Sequence, residues 1–86
     1  GQASVKKNNP LVFTIDPSDT CLLISVVYSS RRYVMFVPID LLSSTETTFA
    51  HGVASTYLEA DVSIDNYTVT ISRSSTTAYT MTAYTF

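Results

Sequence analysis

Cysteine occurs once in this chain, at Cys21, which excludes an internal disulfide. In so small a domain that leaves either a reducing compartment or stabilisation by assembly. Cys21 heads the apolar run CLLISVVY, where a free cysteine acts as a small buried hydrophobe. Glycine is nearly missing too. Beyond Gly1 there is only Gly52, so no glycine-rich phosphate loop is possible, and Gly52 is the natural place for a positive φ or a bulge. Histidine occurs once, at His51, and no C-x2-C or H-x3-H spacing accompanies it, so no metal centre is expected. Charge is scarce at 14% of residues, against about 25% in an ordinary globular chain. The five basic residues are scattered as Lys6-Lys7, Arg31-Arg32 and Arg73. That leaves no basic face to neutralise phosphates, and no nucleic-acid partner is expected. No apolar run approaches the roughly 18 residues of a membrane span, and no signal-peptide pattern opens the chain. Gly1-Gln2-Ala3-Ser4, without an initiator methionine, is expected to be a processed terminus or a cloning remnant.

Hydroxyls take the place of charge: 13 Thr and 12 Ser, joined by six Tyr, in 86 residues. Such a surface is polar without being ionic, and Thr and Tyr fit the half-buried side of a pleated sheet. At 45% hydrophobic the chain is too apolar to be disordered.

The pattern along the chain is that of a β protein. Residues 1–9 are polar and aperiodic, and are expected to be a flexible lead-in to a single β-domain over residues 10–86. LVFTI is a short strand, and DPSDT after it has turn chemistry, with Pro17 pre-setting φ and Asp and Ser bonding back to local backbone. CLLISVVYS and RYVMFVPIDLL are apolar on both faces and are expected as the central, most buried strands, joined by the polar turn SSRR. Pro38 cannot donate to a ladder, so it belongs near a strand end or at a bulge. Residues 39–52 are expected to be a loop or long crossover, with at most one helical turn at Asp40-Leu41-Leu42. STYLEADVSID then alternates cleanly, with Leu58, Ala60, Val62 and Ile64 opposite Tyr57, Glu59, Asp61 and Ser63. Asp65-Asn66 is a plausible two-residue turn into YTVTISR, and SSTT leads to the final run AYTMTAYTF. The expectation is all-β: a small antiparallel sandwich or barrel of about six to seven strands, with a C-terminal three-stranded meander.

Chemistry is hard to find in these residues. Glu59 and Asp61 lie two apart on a water-facing strand, and with Asp65 their spacing does not suit a calcium loop. Twenty-five Ser and Thr hydroxyls guarantee chance neighbours for His51, so no nucleophile–base pair stands out. Asn66-Tyr67-Thr68 matches a glycosylation acceptor, a cheap match in a Thr-rich chain. No catalytic residue, metal ligand or cofactor is therefore expected. Tyr67 and Tyr79 share parity with apolar neighbours and are expected in the core with their hydroxyls at its rim. Tyr57, on a polar strand face, and Tyr84 and Phe86, sharing one face of the last strand, are the candidate binding residues. Flat rings among short polar side chains suit protein surfaces and sugars. The last strand carries neither charge nor proline, the usual guards of an open edge, so it is expected to be covered. The cover would come from neighbouring strands for its backbone and from another subunit for Tyr84 and Phe86.

RYVMFVPIDLL, a polar loop, YLEADVSID, NYTVTIS and a terminal AYTMTAYTF together resemble the small β-domains of tailed-bacteriophage virion proteins: head fibres, baseplate components and tail-fibre tips. The resemblance is one of texture over residues 11–86, without a diagnostic motif. It implies a non-enzymatic structural and adhesive module located in the virion, self-assembling as a trimer or higher ring, with a cell-surface glycan or protein as receptor. Low glycine content and the lack of a preceding fibrous repeat depart from the pattern. The alternative expectation is a secreted or cell-surface bacterial domain, a sandwich that binds carbohydrate or protein.

Overall fold

The computed structural model describes residues 1–52 and 57–86. Eight strands follow in chain order: β1 (Gln2–Val5), β2 (Leu11–Thr14), β3 (Cys21–Tyr28), β4 (Arg31–Pro38), β5 (Thr47–His51), β6 (Leu58–Asp65), β7 (Thr68–Ser72) and β8 (Tyr79–Thr85). They form two four-stranded antiparallel sheets, sheet I in the order β1-β8-β3-β4 and sheet II in the order β2-β7-β6-β5. The sheets pack face to face as a sandwich.

Period-2 alternation builds the core directly. Leu22, Ile24 and Val26 of β3, Met35 and Val37 of β4, and Tyr79, Met81 and Ala83 of β8 point inward from sheet I. Leu58, Ala60 and Val62 of β6, with Val69 and Ile71 of β7, face them from sheet II. Leu22, Ile24, Leu58, Ile71 and Met81 are fully buried, and truncating one of them to alanine would cost about 2–5 kcal/mol. Tyr79 is buried as expected, whereas Tyr67 is exposed in a turn and takes no part in the core.

Several expectations need correction. Gln2–Val5, expected as part of a flexible lead-in, pairs along β8 and sends Val5 fully into the core. One buried residue in four gives no period to read. β5 falls inside the stretch expected as a loop, because its only sizeable apolar side chain is Phe49. The helical turn does form, as one turn of 3₁₀ helix over Ile39–Leu41. Among the described residues the strand count is therefore eight rather than six or seven. Ser55 and Thr56, read as the start of a strand, lie outside the described residues.

The meander is also different from the one expected. β5, β6 and β7 are consecutive neighbours in sheet II, while β8 crosses to sheet I and lies between β1 and β3. The six residues between β7 and β8 are too many for a tight hairpin. The Arg73 guanidinium donates to the Thr77 carbonyl within that loop and fastens the crossing. The backbone of the final run is thus paired on both sides, as anticipated.

Of the two strands expected at the centre, β3 is interior and β4 is an edge. Pro38 is the last residue of β4 and sits opposite Cys21. Counting outward from the two-residue turn at Ser29-Ser30, alternation puts that pair in a non-hydrogen-bonded position, so the missing N–H costs no ladder bond. Gly52 has a φ of 101°, as its scarcity suggested. The β6–β7 turn is centred on Asn66-Tyr67, one residue later than read, and both residues have positive φ (49° and 64°). This is the type I′ pattern, which matches the twist of the flanking strands.

Candidate functional site

Two surfaces carry the candidate residues, and they do not meet. The first is the outer face of sheet I. Cross-strand register sets Leu23 between Phe36 on β4 and Tyr84 on β8. Ser25 lies between Val34 and Thr82 in the next row, and Cys21 lies opposite Pro38. Phe36, Phe86 and Tyr84 are 64%, 57% and 54% exposed, and Val34 is exposed beside them. The Phe36 and Phe86 rings lie 6.5 Å apart at a tilt of 54°. Cys21 is half-buried at the margin of this face rather than in the core. Among the described residues the outward side chains of these strands include a single charge, Arg32, at the hairpin end. The sequence paired Tyr84 with Phe86 correctly. It missed Phe36 and Val34, because a strand apolar on both faces reads as buried on both.

Tyr57 belongs to the second surface, a cavity of about 420 Å³ at the opposite end of sheet I. Its walls come from the β3–β4 hairpin (Tyr28, Arg31), the start of β6 (Tyr57, Glu59), and Arg73 and Tyr79 on either side of the β7–β8 loop. Arg73 is the one buried charged residue among those described. Its guanidinium carbon lies 3.3 Å from the centroid of the Tyr79 ring, a cation–π contact. Nη1 donates to the Thr77 carbonyl, and Nη2 stands 3.5 Å from Glu59 Oε1. Nε is buried and has no hydrogen-bond partner. Glu59 keeps 24% of its side chain exposed and accepts a hydrogen bond from the Tyr57 hydroxyl, 3.1 Å to Oε2. That bond, and then the carboxylate's negative charge, raise the Tyr57 phenol above its ordinary 10.0. Tyr57 therefore remains a neutral donor at physiological pH. Tyr28 and Tyr79 are tilted against each other with centroids 5.2 Å apart, and Arg31 lies 5.2 Å from the Tyr28 centroid.

The alternation of β6 places Tyr57 and Glu59 on one side, which is why Tyr57 was legible as a candidate. Arg73 and Tyr79 were not, because their meeting depends on β8 crossing to the other sheet.

The remaining polar candidates stay apart. His51 is exposed on β5 and stacks on Tyr33 of β4, centroids 4.3 Å apart, bridging the two edge strands. Asp61 accepts a hydrogen bond from the Thr48 hydroxyl across the β5–β6 pair. No group of three or more His, Cys, Asp or Glu is placed to hold a metal ion among the described residues. No described helix is long and apolar enough to cross a membrane.

Comparison of the chain with protein-family models, with curated proteins and with solved structures returned no match.

Proposed function

We propose that the chain is a non-enzymatic structural and adhesive module that works by associating with further copies of itself through the outer face of sheet I. The observation that carries this reading is the cluster of Phe36, Tyr84, Phe86 and Val34 around Leu23 on a nearly uncharged face. With strands about 4.8 Å apart and about 3.3 Å of rise per residue, the face spans on the order of 400 Å², a size at which an exposed apolar patch signals an interaction site.

A second copy is the partner whose chemistry fits. The patch offers no charge pattern to select a charged surface, and rings meeting rings across a twofold axis bury like against like. Edge-to-edge pairing through β4 is the weaker geometry, because Pro38 and Arg32 guard that edge. A patch that meets itself closes at two copies. The trimer implied by the phage resemblance requires it to meet a different surface of the neighbour. The placement in a virion rests on that resemblance alone. A secreted or cell-surface binding domain is the second reading, favoured by the tyrosine-lined cavity around Tyr57.

Sedimentation velocity across a concentration series tests the proposal. An oligomer that becomes monomeric in the F36S/F86S double variant, with unchanged circular dichroism, is the expected result. A wild-type chain that stays monomeric at high concentration would remove the reading. Mass spectrometry of purified phage particles separates virion from secreted material.

A further inference from the structure

The cavity at the β3–β4 hairpin end has no part in that assembly face, and its construction points to a ligand. We infer that it is a binding site for a pyranose sugar, stacked on the Tyr57 ring and hydrogen-bonded to Glu59. This inference deepens the adhesive half of the proposed function and rests on it for its biological meaning, though not for its geometry.

Three observations support it. The cavity's volume, about 420 Å³, falls within the range of roughly 300–1,000 Å³ typical of small-ligand sites. Tyr57 is 44% exposed and its hydroxyl is tied to Glu59, so the ring is held in one orientation with a face left to receive a ligand. A sugar ring presents an apolar C–H face to such a platform and a fringe of hydroxyls to its surroundings. That fringe needs an acceptor and donors at fixed positions. Glu59 has lone pairs beyond those used by Tyr57 and Arg73. Ser75 and Thr77, which also line the cavity, carry hydroxyls.

Arg73 supplies the third observation. It is more than nine-tenths buried, lines the cavity, and holds Nε without a partner. A buried donor left unsatisfied costs about 1–3 kcal/mol, a cost borne at the cavity wall although Nε itself is closed to solvent. The protein already engages the other end of the guanidinium through Thr77, Glu59 and the Tyr79 ring, so Arg73 is held rigidly before any ligand arrives. Preorganisation of this kind is a property of binding sites. Glu59 and Arg73 offset each other's charge, and Arg31 beside the Tyr28 ring leaves the lining with one positive charge in excess.

The test is a titration of the full ¹⁵N-labelled chain with the methyl pyranosides of glucose, galactose, mannose and N-acetylglucosamine, followed by amide shifts. At least one sugar is expected to move the amides of Tyr57, Glu59, Arg73 and Thr77 while leaving those of Phe36 and Tyr84 in place. Tyr57→Ala should weaken that binding about tenfold, the worth of one aromatic stacking contact. Tyr57→Phe, which keeps the ring, should weaken it less. Because Tyr57 is exposed, its replacement should leave the melting temperature nearly unchanged, which separates lost binding from lost folding. No shift at the cavity with any of the four sugars, or shifts that survive Tyr57→Ala, would overturn the inference. Repeating the titration on the F36S/F86S variant keeps the outcomes separate. Cavity shifts in a wild-type chain that stays monomeric would sink the assembly reading alone, and assembly without cavity shifts would sink this one.

Discussion

The two sheets have nearly identical inner faces and opposite outer ones. Outward from sheet II point Thr68, Thr70 and Ser72 of β7, and Glu59, Asp61 and Ser63 of β6, with Thr48 bonded to Asp61 at the edge. Outward from sheet I point Leu23, Val27, Val34, Phe36, Tyr84 and Phe86. Val12 of β2 apart, sheet II is finished for water, whereas sheet I looks like a core face without its second layer. Folding alone does not require that difference, because the same inward set would close the sandwich with threonines in place of the phenylalanines. That contrast is the one on which the proposed association rests.

The largest effect should come from erasing the contrast. The F36S/F86S double variant is expected to raise the dissociation constant of the assembly by more than about a hundredfold, since buried aromatic anchors dominate such interfaces. Analytical ultracentrifugation would read it. Unfolding of the monomer should change little, because both side chains are exposed in the isolated chain.

A smaller effect concerns the crossing that joins the sheets. Arg73→Met preserves bulk but removes the donor to the Thr77 carbonyl and the cation beside Glu59, and should destabilise the fold by about 2 kcal/mol. Most of that should survive in a Glu59→Gln background, because the ion pair opens to solvent on the Glu59 side and is worth at most about 1 kcal/mol. A strong coupling in the double-mutant cycle would show that the ion pair, rather than the Thr77 carbonyl and the Tyr79 ring, holds the loop.

The hairpins sharpen the comparison further. Sheet I turns through Ser29-Ser30 with only Ser29 at positive φ, while sheet II turns through Asn66-Tyr67 with both residues there. A bulky L-residue in that region is strained by about 1–2 kcal/mol. Tyr67→Gly should accordingly stabilise the chain by about 1 kcal/mol in urea unfolding, and Ser29→Gly by less. No gain at Tyr67 would mean that its ring makes compensating contacts.

The smallest effect lies in the connection from β2 to β3, which passes from sheet II to sheet I. The Asp16 carboxylate accepts from the Ser18 hydroxyl and backbone N–H, and these bonds hold its pKa below the ordinary 3.8. A depressed pKa stabilises the folded state in full above the unfolded value, and that contribution disappears as pH falls through the folded value. Wild type should therefore lose slightly more melting temperature than Asp16→Asn between pH 5 and strong acid. Parallel curves for the two proteins would show that the turn does not depend on the carboxylate.

The legible parts of this chain were those governed by local rules. Clean alternation identified β6 and β7, proline and aspartate marked the turn at residues 16–20, and the lone internal glycine took positive φ. The same alternation put Tyr84 and Phe86 on one face and Tyr57 beside Glu59. β1 and β5 escaped notice because each contributes so little apolar area that its strand exists only through its partner, β8 for one and β6 for the other.

Fold class and the scarcity of ionic chemistry thus follow from residue types and period, which act within a few residues and can be read along the chain. Which face of RRYVMFVP met water, where Arg73 found the ring of Tyr79, and which two strands enclosed β8 depended on sheet assignment. A strand's neighbours are chosen by burying area across the whole domain, and a pattern with period two is the same whichever sheet the strand joins.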